Sequence, residues 1–252
     1  MAENELLAAY RSIPIVTRSI LTATILLSLA PAFGILSYQL LFLSWPHVIY
    51  RFQLHRLLTP FFVKGLDFNM LFDLYFLYTY GIQLETTTFA GRSADFAWFI
   101  LFTSIISTIG GHFLNLVMLS QSLLLAVIYL WAQSNSERIV SFMFGFQFKA
   151  IYFPWVLIAY SFVISRAVVP WDMIVGIASA HLYYFLNHVY PGMGGPRLIP
   201  TPTLLYKLLP RQEVAGATFA SNGETANMYR VNTAGGSGSG GGHQWGRGHR
   251  LG

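Results

Sequence analysis

Trp171-Asp172-Met173-Ile174-Val175-Gly176-Ile177-Ala178-Ser179-Ala180-His181-Leu182-Tyr183-Tyr184-Phe185-Leu186-Asn187-His188 is the stretch that decides the fold. It is apolar enough to enter a bilayer, yet it carries a histidine in its middle. Gly176 and Ala180 lie four apart, so they stack on one helical face. Two small residues there let another helix approach closely. His181 follows the second of them. An ionisable group at that depth is costly unless it faces the bundle interior or water. The stretch therefore predicts a central helix, with His181 either a packing residue bonded to a neighbour or a base in need of a nucleophile.

Working outward, the composition fits a membrane protein. Hydrophobic residues make up 54% of the 252 and charged residues only 10%, against about 25% charged in a soluble chain. The mean hydropathy is +0.53. There is no cysteine, which excludes disulfides, thiolate catalysis and cysteine-ligated metals.

Six spans are predicted: Val16–Leu36, Phe68–Leu84, Asp95–His112, Leu114–Trp131, Lys149–Ala167 and the opening stretch. The third and fourth are separated by a turn of two or three residues. Each is measured against a hydrocarbon core of about 30 Å. Spans two and six are near the lower limit, which suggests local bilayer thinning or burial in the bundle. A secretory signal is the competing reading of the first: Arg11 and Arg18, then Ile20–Leu29, then Ala30-Pro31-Ala32. The apolar run continues past that site, and Pro31 fits it poorly. Asp73 and its position near a helix start suit the dipole there.

Residues 1–15 form a polar N-terminus and 16–188 the membrane domain. Within it, residues 37–67 interleave Trp45, Ile49, Phe52 and Phe61 with His47, Arg51, His55, Arg56 and Lys64. That mixture predicts a loop lying in the membrane interface, with Arg51, His55 and Arg56 at lipid. Six spans put both termini on one side. Eleven of the 15 Lys and Arg fall on that side, so both termini are expected to be cytosolic. Residues 189–252 form a tail. Its Gly/Ser run at 235–242 is a flexible tether, and Trp245 and Leu251 stand out beyond it as apolar anchors of a short binding peptide.

The search for catalysis fails. Ser120 and Ser122 are the candidate nucleophiles for His181, which would make an intramembrane serine protease. No glycine lies two before either serine, so the sharp turn that exposes such a nucleophile is missing. Asp73, Glu85, Asp95 and Asp172 fall on different segments. No histidine pair shares a helical face, so no metal is expected. No phosphate-cradling loop opens a helix, and no cofactor is predicted. The basic residues are too few and scattered for nucleic acid.

Several runs resemble the derlin family, rhomboid-related pseudoproteases of the endoplasmic reticulum. They are Arg11-Ser12-Ile13-Pro14 with Thr17-Arg18; Tyr50-Arg51-Phe52-Gln53; Leu74-Tyr75-Phe76-Leu77-Tyr78 through Leu84-Glu85; and Gly91-Arg92 with Ala94-Asp95. Further along come Trp131-Ala132-Gln133, Val140-Ser141-Phe142, Phe148-Lys149-Ala150, Pro154-Trp155-Val156, His181-Leu182-Tyr183 and Thr201-Pro202. The likeness covers about residues 10–210 and resumes in the last eight. The family has Trp-Arg where this chain has His55-Arg56, and often a second glycine where it has Ala180.

The resemblance implies an all-α, six-helix rhomboid-like bundle in the endoplasmic reticulum membrane and no catalytic activity. It implies that the chain helps retrotranslocate misfolded clients for ubiquitination and degradation. Partners would be membrane lipid, a ubiquitin ligase complex and further copies of itself or its relatives. Trp245, Gly246, Arg247, Gly248, Arg250 and Leu251 are similar to the motif that recruits the AAA ATPase valosin-containing protein. Gly176, Ala180, His181, Ser104 and Thr108 are the expected client path or packing residues, the polar ones of spans three and six (Ser104, Thr108 and His181) facing a lateral opening. A passive scaffold for the ligase is the remaining alternative.

Overall fold

The computed structural model describes residues 2–142, 145–196 and 198–209. The helices are α1 (Ala2–Ser12), α2 (Ile15–Ala32), α3 (Tyr38–Leu41), α4 (Trp45–Arg51), α5 (Phe68–Gln83), α6 (Ser93–Phe113), α7 (Ser120–Ser134), α8 (Phe153–Ile164), α9 (Trp171–Tyr184), α10 (Tyr190–Gly192) and α11 (Thr203–Leu208). A helix stands at each of the six expected positions. Two of them, α2 and α6, are long and apolar enough to cross a membrane by length and composition.

The most enclosed helix is α7, not α9. Leu125, Ala126, Val127, Ile128, Leu130 and Ala132 are all 0% exposed, so neighbours cover α7 on every side. α9 packs along it and presents an outer face through Trp171, Ala178, His181 and Leu182. Hydropathy could not separate the two, because a lipid-facing and a protein-facing leucine read alike.

Local chemistry starts and stops these helices. Asp67 caps α5, its carboxylate accepting from the Met70 amide at 3.0 Å. Pro154 sits in the first turn of α8, where a missing N–H costs nothing. α2 follows Pro14, which offers no side-chain cap, and Glu85 supplies one from a distance. Its carboxylate accepts from the amides of Val16 (3.1 Å) and Thr17 (2.9 Å) and from the hydroxyls of Thr17 (2.8 Å) and Ser93 (2.7 Å). At 1% exposure this charge is fully dressed by donors.

Three expectations are corrected. Span two runs on past its expected end, α5 continuing as a π-helix, Leu84–Thr88, whereas α9 with its π-helix, Phe185–Val189, ends close to the expected His188. In span two the apolar pattern stops before the helix does, because Glu85 is stabilised by the start of α2. α7 has 15 residues, about 22 Å of helix, and α8 has 12, about 18 Å, with the 3-10 turn Ala150–Tyr152 leading directly into it. Second, the join between α6 and α7 is a six-residue bridge, 114–119, held by the first loop: the Leu43 amide donates to Val117 O and the Leu119 amide to Pro60 O, both at 3.0 Å. Third, a hairpin precedes α8. Its strands β1 (Ile139–Phe142) and β2 (Phe146–Lys149) are antiparallel, with Val140 opposite Phe148. Phe142 packs on Phe76, Phe153 and Tyr160.

Candidate functional site

The candidate site centres on the crossing of α7 and α9. A Cβ on Gly176 would lie 2.7 Å from Ser122 Cα, so the two backbones touch. Ala180, one turn on, is wholly buried. Around the crossing three buried hydroxyls form a chain. Ser122 donates to Ser107 at 2.7 Å, Ser107 to Ser179 at 3.2 Å, and Ser179 to Gly176 O at 2.8 Å. Each proton is committed to the next oxygen, which satisfies groups that would otherwise be costly at this depth.

His181 is elsewhere. It is exposed on the outer face of α9, and its Nδ1 bonds the hydroxyl of Tyr129 at 2.6 Å. Tyr129 lies two turns along α7 from Ser122, roughly 10 Å of helix rise. The structure thus brings Ser122 and His181 onto adjacent helices without bringing them together. Among the described residues no cluster of three or more His, Asp or Glu could hold a metal ion.

The lateral opening expected beside the polar residues of spans three and six is closed where those spans meet. α6 and α9 pack through Ser107 and Ser179, Gly110 and Val175, and the Phe99–Tyr183 ring pair at 4.9 Å. Ser104 is buried, and the Thr108 hydroxyl donates to the Ser104 carbonyl at 2.8 Å. Small and hydroxyl residues allow this close contact, the opposite of what their polarity suggested.

An opening lies instead between α5 and α8. A cavity of about 230 Å³ is walled by α5, α7 and α8, with Met173 of α9 and Phe142 of the hairpin at its edges. Phe72, Phe76, Leu124 and Leu157 make most of it apolar. Its polar end holds Asp73, whose Oδ2 accepts from Lys64 Nζ and from Gln121 Nε2, both at 2.6 Å. Lys64 and Asp73 are nearly buried, so this ion pair is poorly screened. Nothing in the spacing of its members marks this trio, since they lie on a loop and two helices.

In the first loop, Arg51 and His55 are exposed, as are Tyr50 (83%) and Phe52 (81%). Arg56 is placed differently from the expectation. It is 4% exposed and ties the loop together, donating from Nη1 to the carbonyls of Gln39 (2.6 Å) and Phe42 (3.1 Å) and from Nε to Gln53 Oε1 (2.6 Å). His55 reaches the Leu40 carbonyl at 3.3 Å. The aromatic contact that fixes this loop comes from Trp45, edge-on to His112 with centroids 4.5 Å apart.

The chain beyond α9 is fastened to the start of α6 by Asp95. Its Oδ1 accepts from the hydroxyls of Thr201 (2.8 Å) and Tyr206, and Oδ2 pairs with Arg92 at 3.1 Å. The bond to Asp95, with burial second, holds the Tyr206 phenol above its ordinary range. Trp245, Gly246, Arg247, Gly248, Arg250, Leu251 and the tether at 235–242 lie outside the described residues.

A sequence profile described as the Der1-like family matches residues 13–203. The chain is similar to Derlin-1 of Homo sapiens, 40% identical over 249 residues and 96% of each chain. It is 34% identical to Derlin-1 of Drosophila melanogaster over 248 residues, 96% of this chain and 97% of that one. With Derlin-2 of Oryza sativa subsp. japonica the identity is 34% over 237 residues, 85% of this chain and 94% of the relative.

Proposed function

The chain belongs to the Der1-like family, the derlins, and from that premise we propose that it is a non-enzymatic factor of endoplasmic-reticulum-associated degradation. In this reading six helices cross the membrane with both termini in the cytosol. Misfolded clients enter sideways between α5 and α8. Residues 245–251 recruit a valosin-containing-protein-type AAA ATPase that pulls them out, and a ubiquitin ligase modifies them.

The separation of Ser122 from His181 carries the non-enzymatic part. A serine needs a base within hydrogen-bond reach to attack a peptide bond, and the proton of Ser122 goes to Ser107 instead. The short α7 and α8 suit a bilayer thinned on their side, and thinning lowers the barrier to a polypeptide carrying polar groups. Exposed apolar residues on the outer faces, among them Leu26, Leu71, Ile105 and Val163, suit contact with lipid. Asp95 holds the base of the tail at the start of α6, on the side proposed to be cytosolic.

A degradation chase in cells tests the reading. Ser122→Ala is expected to leave client turnover at its normal rate. Deletion of residues 245–252 is expected to slow it and to abolish co-purification of the ATPase. Loss of turnover with Ser122→Ala together with fluorophosphonate labelling of Ser122 would favour a protease. Unchanged ATPase capture after the deletion would remove the recruitment step.

A further inference from the structure

We propose that the α5–α8 cavity recognises a hydrogen-bond donor, a basic side chain above all, carried on an otherwise apolar client segment. The proposal rests on the lateral entry put forward above and names the class of segment that entry favours.

The orientation of Gln121 is fixed by its neighbour. A carboxylate only accepts, so the amide must turn its NH₂ toward Asp73. That leaves Gln121 Oε1 on the other side, buried and without a donor among the described residues. A buried acceptor in this state is unusual, and because Gln121 lines the cavity a small shift of its side chain would bring Oε1 to a donor held there. Both bonds made by Asp73 fall on Oδ2, so Oδ1 keeps acceptor capacity. Lys64 is spent on Asp73 Oδ2, so the cavity's polar end offers two open acceptors, Asp73 Oδ1 and Gln121 Oε1, and its one ammonium is already paired.

The remaining walls are mostly aromatic and aliphatic, with Asn69, Ser161 and Ser165 among them. A wholly apolar segment would fit them and leave Gln121 Oε1 as it is. A segment with a carboxylate would bring a further acceptor to a polar end that already has two open ones. A segment with one lysine, arginine or asparagine matches both parts. Such a residue is what makes an apolar helix a poor resident of a bilayer, so the cavity is built to detect that fault.

The test uses the full chain in phosphatidylcholine nanodiscs, whose choline headgroup has no N–H donor. The probes are Leu-rich spanning helices of about 20 residues carrying one Lys, Leu or Glu at the depth of Asp73. The Lys helix is expected to bind at least about tenfold tighter than the Leu helix, the change that 1.4 kcal/mol brings, and the Glu helix weakest. Gln121→Met should bring the Lys helix to the level of the Leu helix. Unchanged binding of the Leu helix by that variant shows that it has folded. Ser161→Phe, which fills the cavity from α8, should block all three.

Equal binding of the Lys and Leu helices, still blocked by Ser161→Phe, would overturn the donor preference and leave lateral entry standing. Binding indifferent to Ser161→Phe would remove lateral entry and the preference together. Loss of the Lys preference on adding phosphatidylethanolamine would assign the site to a lipid amine and overturn the proposal.

Discussion

Gly176 and Ser122 meet backbone to backbone, with no room on Gly176 for a side chain: a Cβ there would stand 2.7 Å from Ser122 Cα and 2.9 Å from its carbonyl carbon. Neither backbone can retreat without moving a helix. Gly176→Ala should therefore destabilise the fold by about 1–3 kcal/mol, the range for overpacked interiors, and Gly176→Leu by more. Thermal unfolding in detergent micelles reads this. Gly65→Ala is the control, since its Cβ would meet open space.

The same contact shows what the sequence could disclose. Gly176 and Ala180 marked a close helix approach, and the structure has one. Spacing names a face but not its partner, so α7 was not legible as the buried centre. Ser104 and Thr108 were read as lining a path because hydroxyls are polar. In the structure Thr108 turns its hydroxyl back onto its own helix, as Ser and Thr commonly do. Arg56 looked like one more interfacial cation, because its carbonyl partners Gln39 and Phe42 declare nothing through their side chains. The Lys64–Asp73–Gln121 group needed three segments to be placed before it existed.

Glu85 holds the start of α2 through three hydrogen bonds and accepts a fourth from Ser93 of α6. Glu85→Ala would leave the Val16 and Thr17 amides without an acceptor and should cost at least about 3 kcal/mol, since bonds to a charged group are worth roughly 1.5–3 kcal/mol each. The result would be a large drop in unfolding temperature. Glu137→Ala, which removes an exposed carboxylate paired with Lys149, should leave that temperature in place.

Arg56→Lys should loosen the first loop although the charge is kept. A lysine ammonium cannot reproduce the planar fork that reaches Gln39, Phe42 and Gln53 together. Hydrogen exchange over residues 37–59 should speed up by about tenfold or more, as loss of roughly 1.4 kcal/mol of local stability requires. Arg51→Lys should leave exchange there unchanged, because Arg51 is exposed.

Docking of α11 should depend on alkaline pH through Tyr206. Its phenol is raised above the ordinary value because the protonated form donates to Asp95. A raised folded value means the contribution is complete below the unfolded value near 10 and is lost as the pH climbs through the folded one. A dye on Leu208→Cys, specific because the chain has no cysteine, should report release of α11 only above about pH 10. Tyr206→Phe should abolish that alkaline step, and Asp95→Asn should release the segment at every pH.

Lateral passage between α5 and α8 is tested most directly by photocrosslinking in microsomes that hold a client stalled by ATPase inhibition. A crosslinking amino acid is placed at Phe72 on α5, at Ser161 on α8, or at Ile105 on the outer face of α6. Strong adducts from Phe72 and Ser161 with none from Ile105 are the predicted result. Adducts from Ile105 with none from the other two would contradict the account.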